Sequence, residues 1–104
     1  MPTESRILTF SNTEAIDALQ EYCGATKREL PKTGIKRLTF ANETEIRVTA
    51  EFDGGPQPLH FYENEVAVAL IMLCTKRGIP VARRAVKSLQ IAQDSISLHL
   101  SMRS

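Results

Sequence analysis

The segment Cys74 to Leu89, CTKRGIPVARRAVKSL, carries Lys76, Arg77, Arg83, Arg84 and Lys87 and no carboxylate. A run of cations at this density does one kind of chemistry: it attracts anions. The anion can be the phosphate of a nucleic acid, a carboxylate on a partner protein, or an acidic face of the same chain. Lys76 and Arg77 have a local reason to be there, since cations at the last turn of a helix complement its dipole by roughly 0.3–1 kcal/mol each. Arg83, Arg84 and Lys87 have none. If residues 81–89 were helical, Arg83 and Lys87 would stack as a like-charge pair that an anion or carboxylate has to answer.

Other chemistry finds little to work with. The only histidines, His60 and His99, fall on the polar side of alternating stretches, with no nucleophile or orienting group at a recognisable spacing. Cys23 and Cys74 sit within apolar helical patterns, where a thiolate is disfavoured, and read as buried free thiols. These four residues form no C-x-x-C or H-x-x-x-H pair, so no metal site is expected. The five glycines form no phosphate-cradling motif. Glu63 and Glu65 read as partners of a helix dipole rather than as an acid–base pair. No catalytic residue and no cofactor is expected.

The charge is unevenly spread. Residues 1–74 hold seven Lys or Arg against eleven Asp or Glu, whereas residues 75–104 hold six against the single Asp94. The total of +1 is too small for the whole surface to act as a polyanion binder. Six aromatic residues and no tryptophan provide few rings for a base-stacking platform. At 104 residues the chain has the length of one domain, 1–104, able to fold on a single core without metal or disulfide. The longest apolar run, Val66 to Cys74, is too short to span a bilayer, and the first residues lack a secretory pattern. The expected location is cytoplasmic.

The elements that would position these residues follow from periodicity. Arg6 to Phe10 is a short strand. Ser11 and Glu14 make a capping box, S-x-x-E, opening an amphipathic helix over about residues 12–23 with Ile16, Leu19 and Cys23 on its apolar side and Gly24 as its stop. Lys36 to Phe40 and Glu45 to Phe52 alternate with period two and predict a hairpin turning near Asn42-Glu43. Asp53-Gly54-Gly55-Pro56 is a turn, and Leu59 to Tyr62 a short strand or a lead into the next helix. That helix starts at an Asn64 cap, is apolar all round from Val66 to Cys74 and so buried on most sides, and ends at Gly78-Ile79-Pro80. Residues 81–85 read as a loop or a short helical turn. Leu89 and Ile91, then Ile96, Leu98, Leu100 and Met102, predict a second hairpin turning at Ala92-Gln93-Asp94-Ser95. No internal repeat stands out at a regular spacing.

This order predicts an α+β two-layer sandwich: a mostly antiparallel sheet of β-hairpins with two helices packed on one face. The opposite sheet face, with Arg37, Thr39, Arg47, Thr49, Glu51, Ser97 and His99, would be polar. The functional expectation is a non-enzymatic domain acting through protein contacts, with itself or another protein, as a homodimer. The alternative is a nucleic-acid-binding module using Lys76, Arg77, Arg83, Arg84 and Lys87. Against it stand the near-neutral charge and the lack of a helix-turn-helix or RNP-like pattern.

Overall fold

In a computed structural model of the chain, residues 3–42, 44–82, 85–92 and 95–103 are described. The strand that opens the chain, β1 (Thr3–Ser11), is longer than its apolar core suggests because it pairs along its whole length with the last strand, β6 (Ser95–Arg103). Between them run α1 (Asn12–Thr26), β2 (Arg37–Asn42), β3 (Ile46–Glu51), β4 (Leu59–Tyr62), α2 (Glu63–Lys76) and β5 (Val86–Ile91). The expected α+β architecture of antiparallel hairpins with two helices packed against them holds. The strands are divided between two three-stranded sheets, β1-β6-β5 and β2-β3-β4, rather than joined in one.

Both helix starts use the same device. At α1 the Ser11 hydroxyl accepts from the Glu14 N–H, and Glu14 accepts from the Ser11 N–H, as the capping box predicts. At α2 the N-cap is Tyr62, not Asn64; Glu65 accepts from the Tyr62 N–H, which is the acidic half of the same box. Asn64 instead receives the Glu65 N–H one residue on. The helix ends differ from expectation in one place. α2 stops as predicted, with Gly78 left-handed at φ 73° and the Ile79 N–H bonded to the Cys74 carbonyl. α1 runs through Gly24 and stops at Lys27, which takes the left-handed conformation itself at φ 59°. Gly24 is exposed and needs no special backbone; the helix continues because Cys23 still packs inside.

The pairing register overturns the expectation that the chain has no internal repeat. A βαββ unit occurs twice, β1-α1-β2-β3 and β4-α2-β5-β6. Fifty-one residues separate Leu8 from Leu59, Phe10 from Phe61, Glu14 from Glu65, Ala18 from Ala69, Leu19 from Leu70, Cys23 from Cys74 and Leu38 from Leu89. The two helix stops, Lys27 and Gly78, obey the same offset, as do the bonds Arg28 N–H to Cys23 O and Ile79 N–H to Cys74 O. Each hairpin then accepts the other unit's first strand: Phe10 lies opposite Ile96, and Phe61 opposite Val48. The outer faces match too, with a Thr9–Ser97 side-chain bond on one sheet and a Thr49–His60 bond on the other. Spacing alone hides this because Ile91 pairs with Ile96 where the equivalent Phe40 pairs with Val48, three positions farther on, so the offset slips to forty-eight in the last strand of each unit.

The core lies where the helices meet the inner sheet faces. Phe61, Leu19, Leu70, Ile96 and Leu98 are its largest wholly buried side chains. Each contributes about 1.5–3 kcal/mol relative to exposure.

Candidate functional site

The helices run antiparallel, and their ends are tied by arginines. Arg77, the C-cap of α2, is paired with Glu14 in the first turn of α1. Arg28, just past the end of α1, donates to Glu65 in the first turn of α2 at 3.1 Å and to the His60 carbonyl at 2.9 Å. Its guanidinium also lies 4.3 Å from the centre of the Phe61 ring, which makes a T-shaped pair with Tyr22. Each capping glutamate therefore completes its own helix start and anchors the end of the other helix. Beside them Lys76 is paired with Glu21 of α1.

These contacts decide the fate of the basic segment. Lys76 and Arg77 are met by carboxylates of the acidic first helix, although both keep substantial exposure. With Asp17, Gln20 and Glu21 they line a groove of about 690 Å³ between the helices, a surface of both signs. Lys87 lies elsewhere. Residues 86–91 are a strand, so Lys87 is on β5 and not on a helical turn; its ammonium donates to the Ala85 carbonyl at 2.9 Å. It borders a second groove of about 670 Å³ beside α2, in company with Glu45 and Glu63. Arg83 and Arg84 lie outside the described residues. The three described cations are thus split between two grooves rather than gathered on one face.

The remaining candidates are also dispersed. His60 stands on the outer face of one sheet, bonded through Nδ1 to the Thr49 hydroxyl at 3.0 Å, and His99 is half-buried on the outer face of the other. Cys23 and Cys74 are buried free thiols, and burial pushes both thiols up from their ordinary range. Among the described residues no group of three or more His, Cys, Asp or Glu side chains could hold a metal ion. On the outer face of β2 and β3, Arg37 makes a two-pronged contact with Glu51, and Thr39 donates to the same carboxylate. These bonds hold the Glu51 carboxyl below its usual range and raise the Arg37 guanidinium.

No family model, curated protein or solved structure matches the chain. The internal repeat therefore provides the comparison. Asp17, Gln20 and Glu21 on the outer stripe of α1 correspond to Val68, Ile71 and Met72 on α2. On α1 these are polar side chains: Asp17 and Glu21 are exposed, and Gln20 is half-buried and accepts from the Ile35 N–H. Those of α2 are apolar: Val68 is 47% exposed, and Ala67, Ile71 and Met72 are half-buried. The expectation that α2 is buried on most sides holds: from Val66 to Cys74 every residue but Val68 is buried or half-buried. Its inner positions Val66, Ala69, Leu70, Leu73 and Cys74 are inside, Ala67 and Ile71 pack against the edge of the core, and Val68 is the side chain left outward. Periodicity misses it because an apolar run shows no face; the signal was the matching helix fifty-one residues earlier.

Proposed function

We propose that this domain works through protein contacts rather than catalysis and that it associates with itself. The observation that carries the reading is the apolar outer stripe of α2, at positions where the equivalent helix of the same fold displays Asp17, Gln20 and Glu21. Apolar side chains left partly open where the matching helix is polar, with Val68 47% exposed, support a contact surface there. Sedimentation velocity over a range of protein concentrations tests it. The expected result is a concentration-dependent dimer, and a strict monomer at the highest concentration reached overturns the reading.

Nucleic-acid binding draws less support. Lys76 and Arg77 are already opposed by Glu21 and Glu14, and Lys87 shares its groove with Glu45 and Glu63. Titration with duplex DNA and single-stranded RNA at low salt should give no tight complex. A complex whose affinity falls steeply with salt, with a slope flattened by Lys76→Ala and Arg77→Ala, would restore that alternative.

A further inference from the structure

We infer that the free edge of β1 is a pairing edge and that its occupant is β1 of a second copy, antiparallel about a two-fold axis through Ile7. The inference rests on the self-association reading and adds a contact that the α2 stripe does not supply. Among the described residues β1 is bonded along one side only, to β6. Which groups face the other side follows from the ladder. The second hairpin closes on the bond from the Ala92 N–H to the Ser95 carbonyl, and hydrogen-bonded pairs alternate from there. Leu89 falls between them, and its N–H points away from β6 to Glu63. On β6 the residues turned from β5 are therefore Ile96, Leu98 and Leu100, which bond to Phe10, Leu8 and Arg6. Ser5, Ile7 and Thr9 direct their N–H and C=O groups outward, and among the described residues no hydrogen bond reaches those groups.

Two of the other edges are closed by side chains. Glu63 takes the Leu89 N–H on β5, and Arg28 takes the His60 carbonyl on β4. The repeat sets Ile79 at the place of Arg28 and Thr9 at the place of His60, and an isoleucine cannot cap a carbonyl. Of the two edges left, β1 is nine residues long and β2 six. A long edge without such a plug is a template for another strand. The side chains over the open groups choose the strand. Ser5, Ile7 and Thr9 read hydroxyl, apolar, hydroxyl in either direction, so the two-fold sets Ile7 on Ile7 and Ser5 on Thr9. Thr9 already pairs its hydroxyl with Ser97 at 3.0 Å on its bonded side. Ile7, 61% exposed, is covered by its own symmetry mate. The same face continues over β6 as Ser97, His99 and Ser101, without lysine, arginine or carboxylate, so no like charges meet there. On the inner face Arg6, held by the Pro80 carbonyl at 2.8 Å, comes opposite Leu8 rather than another arginine. The product is one six-stranded antiparallel sheet, three strands from each copy.

Position 7 provides the test, because the axis sets it against itself. Sedimentation velocity of the whole chain should show wild type as a dimer, and Ile7→Lys or Ile7→Glu alone weakened by about tenfold or more. An equimolar mixture of the two variants should restore the dimer; a mixture no tighter than either parent would overturn the pairing. Ile7→Pro removes an outward N–H and none that bonds β6, so it should weaken the dimer further than Ile7→Ala. Equal losses would reduce the contact to an apolar patch and overturn strand pairing. Circular dichroism and the melting temperature should show each variant folded, as expected at a position this exposed. Should Ile7→Pro unfold, the charge mixture decides alone. A wild-type dimer that no change at Ile7 disturbs would overturn this edge and leave self-association standing. A wild-type monomer would overturn both.

Discussion

Glu14 holds a free N–H of its own helix and the arginine that ends the other helix. The Ser11 backbone N–H, and after it the Arg77 guanidinium, keep its carboxyl below the ordinary value near 4.5. A carboxyl depressed by folding stabilises the fold above its unfolded value, and that contribution disappears as pH falls through the lower folded value. Stability should therefore decline in acid below about pH 4.5. Glu14→Gln should cost about 0.5–1 kcal/mol in urea melts at neutral pH and flatten the acid decline. An unchanged acid profile in that variant would remove the assignment. The thiols give a second check: Cys23 and Cys74, 1% and 0% exposed, should react with an aromatic disulfide reagent only as fast as the chain opens. Prompt reaction of either in the native protein would contradict their burial. The S-x-x-E spacing makes the role of Glu14 at its own helix legible in sequence. Its pairing with Arg77 is not, because the two are sixty-three positions apart.

At the scale of elements, the antiparallel helix pair is fastened at both ends by a glutamate and an arginine. Arg28 is the better placed of the two arginines, with Glu65, the His60 carbonyl and the Phe61 ring all in reach and its side chain 31% exposed. Arg28→Ala should cost about 1–3 kcal/mol by chemical denaturation, more than an exposed ion pair is worth. A loss below a few tenths would reduce it to a surface pair. The repeat makes a parallel claim about the core: Leu19→Ala and Leu70→Ala should each cost about 2–5 kcal/mol, since each fills the same place in its own unit. In sequence Arg28 sits in the polar stretch ATKRELPKTG and carries no periodic signal. By contrast the stop at Gly78-Ile79-Pro80 is legible because glycine, a following apolar residue and proline are each short-range chemistry. Gly24 misleads for the same reason in reverse: glycine permits a stop but does not impose one.

At the scale of the whole molecule, neither βαββ unit completes a sheet. Among the described residues β1 pairs only with the hairpin of the second unit, and β4 only with that of the first. Fragments 1–54 and 55–104 should therefore stay unfolded or aggregate when separate, and recover a cooperative melt and the native far-ultraviolet spectrum when mixed at equal amounts. A single fragment that melts cooperatively as a monomer would refute this mutual dependence. The same reciprocity brings the two ends of the chain together, Thr3 opposite Arg103, and lets a domain of this length bury one continuous core.

Sequence by itself determined what depends on near neighbours: the element types, the capping box of α1, the stop of α2, and the buried sides of the hairpin strands, since period and cap chemistry act over a few residues. It pointed to the basic segment, whose charges are plain in the composition, but could not say what would face them. Tertiary structure decided the partners: which strand joins which hairpin, which carboxylate meets Arg77 and Lys76, and that the apolar α2 keeps one side outward. Those outcomes depend on contacts between residues fifty or more positions apart, where register is set by burying both units at once and no local pattern records the choice.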